Sequence, residues 1–344
     1  MSSHGARFAF AALAVALLAL GRSTPVRAAD NAPAELDIGW VNVGAGSNEA
    51  LMFADQMVEK NLPNTKVKWV EFTAGAAGIA ALNAGDIQIM TEVGLPPTVS
   101  GISKGLDFKI VWVNDIYLTA EGLVVRNSSN IHSIADLAGK RVATMVGTSS
   151  GYMLHEALAT AGLDETKVPV INMDPPSMQA AWKRGELDAA YIWIPALSNM
   201  AADGGTILAT NKDFQDHGSS IDMMLVRGEF AKQYPDALVS VLKAENDSIN
   251  QLKTGGDAAL QKMADYLKIS LEEAKKEFGG IQLMNAEEQL SESGLGKGDA
   301  ISTSRITKAI IAAGQYLVGV GSIKSVPNNV PAYIDTSFIE RLGQ

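Results

Sequence analysis

The stretch Met145–Leu158, MVGTSSGYMLHEAL, has the pattern of a β-strand end, a loop of small polar residues and the start of a helix. Gly147, Thr148 and Ser149 bring free backbone N–H groups and hydroxyls to the point where the helix begins. Such a helix start binds anions, but a more common role for Thr148 or Ser149 is to cap the helix. The order strand, loop, helix is typical of α/β folds, and the loop lacks the lysine of a nucleotide-binding phosphate loop.

A second loop of similar composition lies earlier in the chain, at Phe72–Ala80, FTAGAAGIA. Here too a strand leads into very small residues and then a helix, and small residues let the backbone approach a ligand closely. Tight packing of the helix on the strand is the more frequent reason for such residues. Two loops of this kind are more informative than one, because ligands of open α/β sheets bind outside the carboxyl ends of the strands.

Strand-like and helix-like segments alternate along the chain from Leu36 onward, which predicts an α/β fold. Two extended pieces differ from the rest: Leu118–Arg126, LTAEGLVVR, and Ile221–Arg227, IDMMLVR. Each ends in an apolar run followed by arginine, and we interpret them as two strands that carry the chain between two lobes. After Gly228 the pattern becomes mainly helical.

The composition restricts the class of protein. The 344 residues include 47% hydrophobic and 19% charged residues, which is enough apolar material for a folded core. The formal net charge is −10, and the sequence shows no basic face of the kind that nucleic-acid-binding proteins use. The chain has no cysteine, so disulfides, thiolate nucleophiles and zinc–thiolate sites are excluded.

The amino-terminal segment predicts export. Arg7 precedes an unbroken apolar run, Phe8–Leu20, which is too short to span a bilayer comfortably, and small residues follow at Val26–Ala28. We therefore expect residues 1–28 to form a signal peptide that is cleaved after Ala28, and the mature protein to reside in a bacterial periplasm. A lipoprotein anchor is not expected, because it needs a cysteine at the cleavage point.

Motifs of catalysis are missing from the sequence. The G-x-S-x-G elbow of serine hydrolases and the H-E-x-x-H pair of zinc proteases do not occur. His155 follows Ser149 on the same predicted helix, but at a position where we expect it to face solvent. We expect no catalytic residue, no metal site and no cofactor.

Three acids and one tryptophan stand where they could contact a ligand. Glu92 follows the apolar strand Ile87–Met90. Glu121 lies in the first crossing and Asp222 in the second. A carboxylate in a cleft holds an ammonium or guanidinium group through charge-assisted hydrogen bonds, although most acids are solvated surface residues. Trp193 ends a predicted strand, and its ring either packs in the core or covers part of a ligand.

Several longer stretches resemble one family. In chain order they are FTAGAAGIAALNAGDIQI (Phe72–Ile89), AEGLVVR (Ala120–Arg126), ADLAGKRVATMVGTSSGYMLHEALATAGL (Ala135–Leu163), MQAAWKRGELDAAYIWIPAL (Met178–Leu197), IDMMLVRGEF (Ile221–Phe230) and AYIDTSFIERL (Ala332–Leu342). Their order and spacing resemble periplasmic solute-binding proteins of ABC importers of the nitrate, sulfonate and taurine type. The resemblance covers essentially the whole mature chain.

The resemblance implies an α/β fold of the two-lobed periplasmic-binding-protein type, type II. Each lobe would be a mixed sheet flanked by helices, and two hinge strands would join the lobes. We expect residues 29–120 plus 227–344 to form lobe 1, with the C-terminal helices, and residues 121–226 to form lobe 2. The implied partners are a small zwitterionic or cationic ligand and an inner-membrane ABC permease with its cytoplasmic ATPase. We expect a monomer and no nucleic-acid partner.

The resemblance also assigns residues to the ligand. It implies that a sulfonate or similar anion binds the backbone and hydroxyls of the two small-residue loops, at Gly75, Ala76, Thr148 and Ser149. It implies that the amine of the ligand binds Asp222, with Trp193 beside it.

One segment departs from the taurine-type pattern. Where that pattern has a Gly-Ser-Ser-Pro turn, this chain has TEVGLPP, Thr91–Pro97, so two hydroxyls are replaced and Glu92 is added. At an effective dielectric constant near 20, like charges 4 Å apart cost on the order of 4 kcal/mol. Taurine or a close aminoalkanesulfonate, captured by the periplasmic binding component of an ABC importer, is the expected ligand. A cationic amine or guanidino compound is the alternative, and it is favoured more strongly if Glu92 faces the cleft than if Glu92 faces solvent. An enzyme on the same two-lobed fold is a second alternative, disfavoured by the missing catalytic residues.

Overall fold

In a computed structural model of the chain, residues 32–343 are described. The expected signal peptide, residues 1–28, lies outside this range. The fold is α/β and contains two mixed sheets, as the alternating segments predict. None of the helices in the described range combines the length and the apolar character that a membrane span requires.

Eleven strands lie within residues 32–343, numbered here in chain order. They are β1 (Glu35–Val41), β2 (Lys66–Phe72), β3 (Ile89–Gly94), β4 (Phe108–Tyr117), β5 (Glu121–Arg126), β6 (Val142–Thr144), β7 (Val170–Asn172), β8 (Ala189–Trp193), β9 (Gly205–Thr210), β10 (Ser220–Arg227) and β11 (Ile281–Gln282). The apolar run of β5 is buried on both faces, as expected for an interior strand of a sheet covered on both sides.

Fourteen α-helices lie in the same range: α1 (Glu49–Asp55), α2 (Met57–Asn61), α3 (Gly75–Ala84), α4 (Leu95–Ser103), α5 (Ser149–Thr160), α6 (Pro175–Lys183), α7 (Ala196–Ala202), α8 (Gly228–Gln233), α9 (Pro235–Thr254), α10 (Asp257–Leu267), α11 (Leu271–Phe278), α12 (Ala286–Gln289), α13 (Arg305–Gly319) and α14 (Ser337–Glu340). Short 3₁₀ turns occupy Asn127–Ser129, Ile134–Leu137, Asn211–Phe214, Gly298–Thr303, Val330–Tyr333 and Arg341–Gly343.

The two sheets share one plan. The first sheet has the order β11-β4-β10-β3-β1-β2, with β1 parallel to β2 and β3, and β10 antiparallel to β3 and β4. The second has the order β7-β6-β8-β5-β9, with β6 parallel to β7 and β8, and β5 antiparallel to β8 and β9. In each sheet the parallel strands therefore end at the same edge, where loops to the following helices can form a site.

The chain passes between the sheets twice. The first passage, residues 118–120, joins β4 to β5 and lies in the predicted crossing. The second runs through residues 211–219, between β9 and β10. The interpretation of Ile221–Arg227 as a crossing strand is wrong, because this segment lies in β10, between β3 and β4 in the first sheet. Its apolar run reflects burial at the centre of that sheet. The exact lobe boundaries stay a prediction.

Single residues set the ends of two helices. Residues 49–61 form two helices rather than one, because Gln56, whose φ of +49° is left-handed, closes α1 before α2 begins. Helix α13 begins at Arg305. Ser304 is its N-cap, and the Ser304 hydroxyl accepts a hydrogen bond from the Thr307 N–H at 3.2 Å, the usual role of serine at a helix start.

Candidate functional site

A cavity lies between the two lobes, at the strand ends where the small-residue loops lead into helices. It encloses about 40 Å³ available to the centres of water-sized molecules, and a single water needs roughly 10–15 Å³ on that measure. Ala74 and Gly75 line it from the first sheet's side, and Thr148 and Ser149 from the second. The cavity therefore accepts a small solute that both lobes contact.

Seven of the eight predicted site residues line this cavity: Gly75, Glu92, Glu121, Thr148, Ser149, Trp193 and Asp222. Ala76 is not part of the lining. It is exposed on the outer side of the first turn of α3, and Ala74, which precedes the helix, lines the cavity instead. That these lining residues bind a ligand stays a prediction.

Three helices begin at the cavity: α3 after Ala74, α4 after Gly94 and α5 after Thr148. None of the three helices has a side-chain cap, since Ala74 and Gly94 offer no acceptor and Thr148 does not use its own. The Thr148 hydroxyl donates instead to the Met145 carbonyl, at 2.6 Å, so the capping role considered for it is wrong. The first turns of α3 and α5 keep N–H groups without side-chain caps, and these favour an anion.

Ser149 adds a hydroxyl at the start of α5. Its Oγ is buried and has no hydrogen-bond partner among the described residues. Helix α4 contributes less, because Pro96 and Pro97 in its first turn lack N–H groups. An acid group of a ligand would therefore find its donors mainly on α3 and α5, one helix from each lobe.

Glu121 is the first residue of β5 and is 1% exposed. Ser150 Oγ donates a hydrogen bond to one of its carboxylate oxygens, and Asn211 Nδ2 donates to the other at 2.6 Å. Burial raises the pKa of Glu121, and the hydrogen bonds from its neighbours, which include Ser220, oppose that rise. Neutral donors thus orient this carboxylate at the cavity wall.

Asp222 lies near the start of β10, opposite Gly94 of β3 on one side and Asp115 of β4 on the other. Burial, followed by the charges of Glu121 and Glu49, raises the pKa of Asp222 to about 8. No ion pair within residues 32–343 involves Asp222. A cationic group in the cavity would supply the missing counter-charge and lower this pKa.

Glu92 faces the cavity, so the sequence alternative in which it faces solvent is wrong. Its φ of +58° is uncommon for a residue with a side chain. It lies in a bulge where two residues of β3, Thr91 and Glu92, stand opposite one residue of β10. Burial, followed by Asp115, raises the pKa of Glu92 well above its usual range. Both Glu92 carboxylate oxygens are buried, and neither accepts a hydrogen bond from an N–H or hydroxyl group in the described part of the chain.

Glu92, Asp115 and Asp222 form a group that we call the acid cluster. One carboxylate oxygen of each residue lies within 4.8 Å of those of the other two. Asp115 is 0% exposed, and neither of its oxygens accepts a hydrogen bond from an N–H or hydroxyl group within residues 32–343. Carboxylates grouped in this way suit either an ammonium group or a cation that prefers oxygen ligands, such as Ca²⁺ or Mg²⁺.

Two residues of β4 at or just behind the cavity, Asp115 and Tyr117, were not among those predicted from the sequence. The polar pair Asn114–Asp115 interrupts the otherwise apolar strand FKIVWVNDIY, and this was the signal that could have indicated a site. The Tyr117 hydroxyl is buried at the cavity without a partner among the described residues. Burial, followed by the charge of Asp115, raises the pKa of Tyr117. Strand register, which the sequence does not reveal, places Asp115 beside Asp222.

The remaining lining is largely apolar. Trp193 is partly buried at the end of β8, and Val43 and Pro97 also face the cavity. The three histidines of the described range, His132, His155 and His217, do not line it. The chain has no cysteine. The cavity therefore presents carboxylates, hydroxyls and helix starts to a bound solute.

A small cavity closed by two α/β lobes, with unpaired acids and uncapped helix starts, defines a solute-binding protein. Comparison with known families is consistent with this class. A family profile described as the substrate binding domain of an ABC-type glycine betaine transport system matches residues 34–269. The chain belongs to this family.

Individual relatives agree with the family. The taurine-binding periplasmic protein of Escherichia coli (strain K12) is 27% identical over 274 residues, covering 80% of this chain and 84% of that protein. A putative aliphatic sulfonates-binding protein of the same strain is 36% identical over 201 residues, covering 58% of this chain and 62% of that protein. The solved alkanesulfonate-binding protein of Xanthomonas axonopodis pv. citri, bound to MOPS, aligns with a TM-score of 0.70 at 24% identity, covering 88% of this chain and 98% of that one. This alignment confirms the expected two-lobed fold.

Proposed function

We propose that the protein is the periplasmic solute-binding component of an ABC importer and captures taurine or a related small aminoalkanesulfonate between its lobes. It would deliver this ligand to an inner-membrane permease driven by a cytoplasmic ATPase. We choose a zwitterion because the cavity offers partners for two opposite charges. It holds carboxylates without counter-ions, and it also holds the uncapped starts of two helices.

Each pole of such a ligand has partners of the opposite character. The ammonium group would bind Asp222, which has no counter-ion in the described range, close to Glu121. The sulfonate would accept hydrogen bonds from the first turns of α3 and α5 and from the Ser149 hydroxyl. The names of two relatives, a taurine-binding and a putative aliphatic sulfonates-binding protein, support this class of ligand.

Capture would depend on closure of the two lobes. The helix starts that would hold the sulfonate come from different lobes, so a ligand that contacts both favours the closed arrangement over an open one. Residues 118–120 and 211–219 carry the chain between the sheets and would act as the hinge.

Calorimetry on purified residues 29–344 tests the proposal. The titrants are taurine, ethanesulfonate, ω-amino acids, simple amines and guanidinium salts. We expect taurine to bind most tightly and ethanesulfonate, which lacks the ammonium group, to bind much more weakly. Binding of amines together with no heat from taurine would overturn the choice of ligand.

A cationic amine or guanidino compound is the alternative ligand for the same transport role. Glu92 is the observation that favours it, because Glu92 adds a carboxylate to a cavity that already holds Asp222 and Glu121. The same titrations decide between the two, since a cation without an acid group gains nothing from the starts of α3 and α5.

A binding role is also preferred here over catalysis. The chain has no cysteine, and the cavity lining includes no histidine of the described range. Recovery of every candidate ligand unchanged after incubation with the protein would agree with this, and turnover of any of them would contradict it. Mass spectrometry of the exported protein would test cleavage after Ala28, and light scattering would test the expected monomer.

A further inference from the structure

The cavity holds more carboxylates than one organic cation can neutralise. Glu92, Glu121 and Asp222 line it, and Asp115 and Glu49 are buried close behind them. No ion pair within the described residues involves any of the five. Buried charges in proteins are normally paired or coordinate metals. A single ammonium group pairs with one of these carboxylates, and the others either keep a proton or bind a further cation.

Asp115 is the residue that a ligand in the cavity does not reach. It is 0% exposed and does not line the cavity, and no N–H or hydroxyl group of the described residues donates to it. A proton on the Glu92 carboxyl can be shared with Asp115, but it supplies no positive counter-charge. The side chain of the neighbouring residue Asn114 is not a partner of Asp115. Its amide oxygen accepts a hydrogen bond from the Glu92 N–H at 3.3 Å. Whatever compensates Asp115 must be small enough to sit behind the cavity surface.

The geometry points to a bare cation. One oxygen from each of Glu92, Asp115 and Asp222 lies within 4.8 Å of the other two, a spacing that fits oxygens around one ion. A shared proton would join two of these oxygens but not three. An independent observation supports a ligand here, because the Tyr117 hydroxyl, 4% exposed, is at the same cavity without any partner among residues 32–343.

We propose that the acid cluster, Glu92, Asp115 and Asp222, binds one divalent cation that prefers oxygen ligands, with Ca²⁺ the best match to an all-carboxylate set. The proposal rests on the proposed function and deepens it. Asp222 would give one carboxylate oxygen to the ion and the other to the ammonium group of the ligand, since the cluster uses one oxygen of each acid. A bound divalent ion inverts the local electrostatics. Glu92 would then no longer repel a sulfonate, and this would reconcile its presence with a sulfonate-binding role.

The first experiment measures the ion alone. Protein treated with EDTA and exchanged into metal-free buffer is titrated with CaCl₂, and with MgCl₂ and MnCl₂ in parallel, by calorimetry and thermal denaturation. We expect one ion per chain and a rise of several degrees in the melting temperature with CaCl₂. The variant Asp115→Asn should lose at least tenfold in calcium affinity, whereas Asp299→Asn, at an exposed acid, should behave like the wild type.

Circular dichroism shows whether Asp115→Asn folds; if it does not, Glu92→Gln and Tyr117→Phe take its place. Glu92→Gln should lose calcium affinity at least tenfold, and Tyr117→Phe less. The inference is overturned if millimolar CaCl₂, MgCl₂ and MnCl₂ produce neither heat nor a change in melting temperature. It is equally overturned if the folded Asp115→Asn and Glu92→Gln variants bind calcium as the wild type does.

The second experiment separates this inference from the proposed function. Taurine is titrated into the wild type and into Glu92→Gln, each with EDTA and with CaCl₂. We expect calcium to tighten taurine binding at least tenfold in the wild type and to have little effect in the variant. Tight taurine binding that is indifferent to calcium would overturn the inference and leave the function standing. Calcium binding with no response to taurine under any condition would overturn the function and leave the metal site.

Discussion

Gly94 and Ser149 approach each other across the cavity so closely that a Cβ atom on Gly94 would lie 2.5 Å from the Ser149 Oγ. The same Cβ would lie 3.3 Å from Asp222 Oδ1. Gly94 ends β3 in the first lobe, and Ser149 begins α5 in the second. The missing side chain of Gly94 therefore permits the contact between lobes and leaves space beside two of the proposed ligand-binding groups.

Gly94→Ala should weaken ligand binding without unfolding the protein. The φ of Gly94 is −63°, which alanine adopts freely, so the added methyl group acts on closure and on the positions of Ser149 and Asp222. We expect taurine affinity to fall about 10- to 100-fold, or about 1.4–2.8 kcal/mol, with the melting temperature nearly unchanged. Gly319→Ala is the matched control, because a Cβ there meets nothing within 4 Å. Equal affinities in the two variants would contradict the role given to Gly94.

Ser149→Ala and Ser150→Ala should have opposite signatures, although the two residues are adjacent. The Ser149 Oγ has no partner within residues 32–343, so its removal should cost ligand affinity, about tenfold, and little stability. The Ser150 hydroxyl donates to buried Glu121, so its removal should lower the free energy of unfolding by about 1–3 kcal/mol. Paired calorimetry and urea denaturation measure both effects. A loss of stability confined to Ser149→Ala would show that the two roles were assigned in the wrong order.

Asp222→Asn should reduce discrimination between ligands with and without an ammonium group. The variant keeps the shape of the side chain and removes its charge, and a hydrogen bond to a charged group contributes about 1.5–3 kcal/mol. We expect the preference for taurine over ethanesulfonate to fall by at least tenfold. Competition calorimetry with both ligands measures the ratio directly. An unchanged ratio would mean that another acid binds the amine, and Glu121 would then be the next variant to test.

Glu245→Gln should make the stability of the protein less dependent on pH. Glu245, on α9, is 0% exposed, and burial, followed by the charge of Glu49, raises its pKa well above the usual range. Above the unfolded pKa, near 4.5, the folded chain retains a proton that the unfolded chain has lost. Stability therefore falls as the pH rises toward the folded pKa.

Glutamine does not titrate, and its amide oxygen can still accept the hydrogen bond that Asn48 Nδ2 donates to Glu245 at 2.6 Å. The variant should lose less stability between pH 5 and pH 8 than the wild type, by up to about 1.4 kcal/mol per pH unit. Urea denaturation at three pH values measures the slope, with Glu272→Gln on the exposed side of α11 as the control. Parallel slopes for wild type and Glu245→Gln would show that Glu245 ionises in the folded protein.

Local patterns in the sequence were sufficient to predict the α/β class and much of the cavity lining. Gly75 and Ser149 could be predicted because each lies among small residues between a strand and a helix. Such a helix start is formed by residues that are neighbours in the sequence. Asp115 was not found, since its role depends on the pairing of β4 with β10, two strands about a hundred residues apart in sequence. The error over Ile221–Arg227 has the same origin. An apolar run shows that a segment is buried but does not show which sheet contains it.

The position of β10 has a consequence for the order in which the two lobes fold. The second sheet is built from one continuous stretch, Glu121–Thr210, and can close as soon as that stretch is free to fold. In the first sheet β10 lies between β3 and β4. These two early strands therefore cannot join one sheet until β10, which ends at Arg227, is available to pair with both of them. Pairings of such long sequence separation form slowly. The second lobe should therefore fold before the first, opposite to the direction in which the chain is made.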